Sequence, residues 1–437
     1  GPIAATWRQF QLAGSGQTAQ FYFFANADTE QSYQATIRIP GKSVAWLSLE
    51  TGCLLEIPAR QVGDDLLVEH TFDARGSLAL LTSATPDAFV TTKSQVQTTP
   101  TEHQAITLDD AEPWQVTLLD PNALTLDMCD YWFDGQLIAE HEHISTIQHR
   151  CLELKRPVDL RMRFTVQVSP DSMPKGALYL AIERPETFTI TINGDPVTQH
   201  DCGNYRDTSF RKIDISSLLV PGTNEILLNT VFSQQPAVYE NLERAKVFES
   251  EKNKLTYDCE IEAIYLVGDF GVHTPGSFES LPRHAVRYSG DFLLAAPPQA
   301  APISDLVRNG LPFFNGTIRL TKRLTLDATS AACTRLAFAE PMAHVVKLTI
   351  NGQDVQEWLW GPFEADITGL LHAGENEIAI ELTTGLRNLL GPHHLEEGES
   401  YSVGPACFFK EPNIWGCAKW NDNYCFVEFG LKSIKLR

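Results

Sequence analysis

Apolar and polar residues alternate in short stretches along almost the whole chain. Gln34–Ile39, Asn122–Asp127 and Val158–Val168 each place an apolar side chain at every second position, the period of a half-buried strand. Aromatic or β-branched runs at Gln20–Asn26, Ser43–Leu49, Leu66–Phe72 and Ser77–Thr82 add strands to the first ninety residues. Further on, strands are predicted at 114–119, 177–183, 188–192, 260–270 and 316–326. The helical composition of Ala237–Asn253 marks an insertion. Nowhere do strands alternate with long amphipathic helices, so a (β/α)₈ barrel and a dinucleotide-binding fold are excluded.

Within this pattern one phrase occurs twice. Thr191-Ile192-Asn193-Gly194 leads to Asp214-Ile215 and then Gly222-Thr223-Asn224-Glu225-Ile226. Thr349-Ile350-Asn351-Gly352 leads to Asp366-Ile367 and then Gly374-Glu375-Asn376-Glu377-Ile378. The aspartate precedes the glycine by eight residues and the asparagine by ten in both copies; only the stretch from Asn-Gly to Asp-Ile differs, by six. Asn-Gly between β-branched runs is a tight hairpin signal, because both positions tolerate positive φ. Such self-similarity indicates duplicated structural units.

The phrase resembles the galactose-binding-like jelly roll, including the sugar-binding domain of glycoside hydrolase family 2. Tyr22-Phe23-Phe24-Ala25-Asn26 followed by Trp46 to Thr51-Gly52 is similar to the β-domain that follows the catalytic barrel in α-L-rhamnosidase-type glycoside hydrolases. These resemblances imply an all-β chain: a small antiparallel β-sandwich at 1–92, a jelly roll with a helical insertion at 93–296, and a second jelly roll at 297–437. Residues 83–107, polar and aperiodic, read as a linker. The family's catalytic carboxylates lie on a barrel this chain lacks. It is therefore expected to be a non-catalytic, carbohydrate-binding or ancillary region of a bacterial enzyme, partnered by a glycan and by a catalytic barrel of the same parent protein. A stand-alone hydrolase with its site between the jelly rolls, and purely structural spacer or oligomerisation domains, are the alternatives.

Composition narrows the partners. A formal net charge of −21 argues against nucleic acid and anionic membrane, and favours a neutral or cationic ligand. Nine scattered cysteines without C-x-x-C spacing read as reduced structural thiols. No signal peptide is recognisable, and the bacterial compartment, cytoplasmic or secreted, is left open. Gly1-Pro2 has the form of a protease scar, so a longer natural protein is expected.

Sugar sites set aromatic faces beside hydrogen-bonding side chains. Trp358 and Trp360, two apart and on one face if they share a strand, with Glu357, form one candidate; Asn204, Tyr205, Arg206 and Asp207 form the other. No catalytic residue is assignable among 55 acidic residues, though Glu262, Asp269 and Glu357 lie in apolar or aromatic settings. No cofactor and no metal centre are expected, a structural calcium being compatible with the resemblance. His141, His143 and His149 would diverge on a predicted helix, Cys407, Cys417 and Cys425 lack ligand spacing, and His393-His394 reads as a turn. Asn315-Gly316-Thr317 is a formal glycosylation sequon.

Overall fold

The computed structural model describes residues 2–12, 16–92, 105–108, 110, 112–198, 200–339 and 341–437. The chain is all-β and forms two compact units, 1–101 and 102–437. Residues 93–104 of the expected linker lie outside the described residues.

The first unit pairs Ile3–Gln11, Thr18–Asn26, Ser77–Ser83, Ser43–Leu47 and Leu54–Leu55 in one antiparallel sheet; Tyr33–Pro40, Asp65–Phe72 and Arg60–Val62 form a second. The alternating apolar residues Phe24, Ile37, Ile39, Leu66, Val68, Phe72, Leu78 and Leu80 make its core. Asn26 ends its aromatic strand because its amide donates to the carbonyls of Gln31 and Asp73, at 2.7 and 2.8 Å, closing two turns.

In the second unit the two copies of the phrase perform one structural task. Val158–Val168 pairs with Gly222–Phe232 over eleven residues, and Thr189–Ile192 lies on the other side of Gly222–Phe232. Gly316–Leu326 pairs with Gly374–Thr384 over eleven residues, and Val345–Ile350 lies beyond it. Facing these are Asn122–Leu126, Ile264–Gly268, Leu178–Glu183, Asp207–Asp214 and Asp201–Tyr205 in the first repeat. In the second they are Glu364–Asp366, Arg335–Phe338, Ile434–Leu436 and Ile106–Leu108. One continuous hydrophobic cluster runs through both repeats.

The phrase's conserved chemistry explains the duplication. Asn193 and Asn351 stand at φ +53° and +50°, followed by Gly194 and Gly352 at +87° and +79°, the left-handed pair a two-residue hairpin needs. Each turn asparagine donates to a buried asparagine: Asn193 Nδ2 to Asn224 Oδ1 at 2.8 Å, and Asn351 Nδ2 to Asn376 Oδ1 at 2.9 Å. Asn224 in turn donates to the carbonyls of Val220 and Gly222, and Asn376 to those of His372 and Gly374. Hairpin and strand entry are thus locked to each other through one buried asparagine in each copy, Asn224 or Asn376.

Two strand assignments differ from the sequence boundaries. Ile106–Leu108 pairs with Ile434–Leu436 and Trp114–Leu118 with Gly316–Leu326, so this early stretch is built into the second repeat. Burial is the reason: Trp114 is fully enclosed there. The strand expected at 260–270 is confined to Ile264–Gly268.

Asn224→Ala and Asn376→Ala each remove the side-chain partner of several part-buried backbone groups. Each is expected to cost about 1–3 kcal/mol, with matching losses for the two copies in urea titrations. A loss below measurement error at either would refute the locking role.

Candidate functional site: a buried carboxylate among imidazoles

Residues 122–129 are buried without a break, and Asp127 is the charged residue in that run. It follows the strand Asn122–Leu126, where the chain passes from one sheet to the next strand, Met128–Phe133. Tyr424, on the strand Tyr424–Val427, donates its hydroxyl hydrogen bond to Asp127 Oδ1. Three imidazoles face the other oxygen: His394 Nε2 at 3.4 Å, His393 Nδ1 at 3.6 Å and His143 Nε2 at 3.8 Å from Oδ2.

Each ring is held from behind. His143 caps the helix Ile144–Leu154, with Nδ1 2.7 Å from Ser145 Oγ and 3.3 Å from the Ser145 backbone N–H. His393 Nε2 lies 3.0 Å from the carbonyl oxygen of Asn388, and His394 Nδ1 lies 3.2 Å from that of Asn421. Trp420 stacks on His394 at 4.7 Å between ring centroids and meets His143 edge-on at 4.8 Å. Around this centre Lys410 pairs with Glu142 at 3.1 Å, while Arg150 reaches Glu411 at 3.0 Å.

Electrostatics follow from enclosure. Burial by itself pushes the Asp127 carboxyl up, but His394, His393 and His143 outweigh it and hold the group well below the carboxylate range. Burial lowers His143 to about 3 and also lowers His393, so both rings are neutral near pH 7. Burial, then the charge of Asp127, drives Tyr424 well above the phenol range. Asp127, His143 and His394 offer ligand atoms all within 4.8 Å of one another, a set able to take an ion.

Tyr424 also lines a cleft of about 380 Å³ on the solvent side. Tyr288 and Phe292 are among its aromatic walls, and Asp130, Arg163, Gln167, Asp291, Asp422 and Asn423 supply polar groups.

The residues proposed from sequence lie elsewhere. The strand Gln353–Trp358 ends at Trp358, which is 1% exposed and packs edge-on against Phe338 at 4.9 Å. Trp360, beyond the strand, is 45% exposed, so the expected shared face does not exist. Glu357 is exposed. Tyr205 is buried and accepts from Asn315 Nδ2 at 2.8 Å. Arg206 donates to the side chain and the carbonyl of the same Asn315, so the sequon asparagine is enclosed and bound rather than free for a glycan. Asn204 is exposed, and Asp207 caps the Ser209 N–H at 2.8 Å. His141, Glu142 and His143 are on a strand, not on the predicted helix, because that helix begins at Ile144; His149, on the helix, faces Glu153 at 3.5 Å. Among the described residues all nine cysteines are free thiols.

What sequence reasoning missed is the meeting of Asp127 with His143, His393 and His394, which come from segments far apart in the chain. One signal was present: Asp127 is flanked directly by the apolar residues Leu126, Met128 and Cys129.

Two pH effects of opposite sign are expected. His143 is lowered in the folded chain relative to an ordinary histidine near 6.5, and Asp127 is lowered as well. The unfolded chain therefore takes up protons first. Stability is full above about pH 6.5 and falls as pH drops, by at most about 1.4 kcal/mol per pH unit for each group. Urea midpoints of chelator-treated protein should be lower at pH 5 than at pH 7, and His143→Gln should flatten that slope; equal midpoints would contradict it. Glu262 behaves oppositely, its carboxyl pushed up to about 7 by partial burial and then by Glu260 and Glu183. Ionising it disfavours folding as pH rises, so Glu262→Gln should stabilise the chain at pH 8 and leave it unchanged near pH 4. A gain at both pH values would show a cause other than ionisation.

No protein-family model and no curated protein matches the chain. Among solved structures it is similar to the α-L-rhamnosidase of Streptomyces avermitilis complexed with L-rhamnose, at 13% identity and a TM-score of 0.25, covering 87% of this chain and 36% of that one. The rhamnosidase of Novosphingobium sp. PP1Y matches at 14% identity and TM-score 0.20, over 60% and 24% of the two chains. The β-D-mannosidase of Dictyoglomus thermophilum matches at 17% and 0.22, over 61% and 31%. The chain thus spans 24–36% of the length of these structures, and similarity this shallow assigns no activity and no residue.

Proposed function

We propose that the chain is a carbohydrate-binding, non-catalytic β-region of a larger glycoside hydrolase, with its galactose-binding-like repeats holding a neutral glycan near a catalytic barrel. The observation that supports this most is the cleft of about 380 Å³ beside Tyr424, a volume suited to one or two sugar rings. Aromatic side chains at its wall suit the C–H faces of a pyranose, and Gln167, Asp291 and Asn423 suit its hydroxyls. The acidic surface, net −21, disfavours polyanionic glycans. Trp360 with Glu357 remains a second proposed contact surface, and Asn204 with Asp207 a separate one, since these four side chains are exposed. The spacer reading also has an observation in its favour: the duplicated phrase is fully occupied in hydrogen-bonding the fold.

Calorimetric titration with a panel of neutral mono- and oligosaccharides tests the proposal. At least one is expected to bind, with affinity reduced at least tenfold in Gln167→Ala or Asp291→Ala. Loss only in Trp360→Ala would move the site to the second surface. Absence of binding throughout would leave the spacer reading, and turnover of a chromogenic glycoside by the chain itself would overturn the non-catalytic role.

A further inference from the structure

The inward nitrogens of His393 and His394 have their protonation set from behind. A backbone carbonyl only accepts, so the ring nitrogens facing Asn388 and Asn421 carry the protons. His393 Nδ1 and His394 Nε2, the nitrogens those carbonyls do not engage, are aimed at Asp127 Oδ2. His394 Nε2 is buried and meets no protein donor among the described residues. The spacings of 3.4, 3.6 and 3.8 Å to Oδ2 exceed those of good hydrogen bonds. Such converging ligand atoms, too far apart for good hydrogen bonds, suit a positive centre between them.

We propose that Asp127, His143 and His394 form a binding site for a first-row divalent transition ion of the Zn²⁺ type. Bonds of about 2.0–2.1 Å in a tetrahedral site put ligand atoms about 3.3–3.4 Å apart, close to the 3.4 Å between His394 Nε2 and Asp127 Oδ2. His143 Nε2 has to close from 3.8 Å to Asp127 Oδ2, in a set whose ligand atoms lie within 4.8 Å of one another. Ligation by Nε2 takes the tautomer with the proton on Nδ1, given to Ser145 Oγ at 2.7 Å in place of the Ser145 N–H contact that Nδ1 accepts at 3.3 Å. The carbonyl behind His394 is the outer-shell partner that metal-bound imidazoles use to fix their tautomer. Tyr424 does the same for the carboxylate by occupying Oδ1 and leaving Oδ2 for the ion. Two imidazoles and one carboxylate, without thiolate, favour Zn²⁺, Co²⁺ or Ni²⁺ over Ca²⁺ and Cu⁺. Three protein ligands leave a fourth position for water or a ligand atom. The inference stands on this geometry alone and is independent of the glycan reading.

The test uses the full chain, stripped with a chelator and titrated with CoCl₂. Expected are about one equivalent bound, visible d–d absorption of a four- or five-coordinate ion, displacement by ZnCl₂, and a rise in Tm on adding Zn²⁺. His394→Gln should weaken Co²⁺ binding at least tenfold while the exposed-site control His141→Gln leaves it unchanged. Should His394→Gln fail to fold, the cobalt spectrum and stoichiometry of the wild-type chain decide. A flat spectrum and an unchanged Tm would overturn the site, as would nitrogen-15 NMR showing both ring nitrogens of His394 protonated at pH 7 with Zn²⁺ present. That last result would make the centre an imidazolium–carboxylate pair.

Discussion

A carboxylate withdrawn from water has to be compensated locally, and the arrangement of the larger unit around Asp127 follows from that requirement. An uncompensated buried charge costs several kcal/mol, comparable to the whole net stability of a domain. Asp127 is 4% exposed and accepts from Tyr424, while His143, His393 and His394 crowd its second oxygen. These partners arrive from a helix cap, a turn after residue 390 and the final strands. Satisfying one oxygen pair therefore ties residues 393–394 and the strand Tyr424–Val427 to the first repeat. Thr125 Oγ1 donating to the Leu389 carbonyl at 2.7 Å, and Asn388 bridging to the backbone of Val427, reinforce the same closure.

The duplicated repeats provide the rigid frame on which that closure acts. In each, an eleven-residue strand pair is registered end to end, and a buried asparagine ties hairpin to strand entry. The two repeats then share one core, so the cluster sits between elements whose relative positions are set by packing. A site built on such elements keeps its geometry better than one carried on loops. Polar groups of the adjoining cleft gain the same support: Arg163 is held by Asp130 at 2.6 Å, and Asp422 receives the Trp420 indole N–H at 2.8 Å.

Arg206 illustrates how a residue that looks suited to a ligand can be consumed by the fold. Its guanidinium is spent on Asn315, and Tyr205 beneath it accepts from the same side chain. Trp358 is similarly drawn inward by Phe338 and the end of its strand. Polar and aromatic residue types report suitability for contact; whether the contact is with a ligand or with the chain depends on neighbours supplied from over a hundred residues away in the case of Arg206.

The sequence by itself determined the all-β class, most strand positions, the helical insertion and the duplication. Period-two alternation, Asn-Gly turns and the Asp–Gly–Asn spacing are local properties that act over a few residues. Which early strands complete the second repeat was decided only by tertiary structure, because Trp114 and Leu108 find their burial against strands some two to three hundred residues later. The convergence of Asp127 with three histidines was decided there too. Imidazole and carboxylate types are common singly along a chain, and only long-range packing brings these four within reach of one another, since no spacing rule links residues 127, 143 and 393–394.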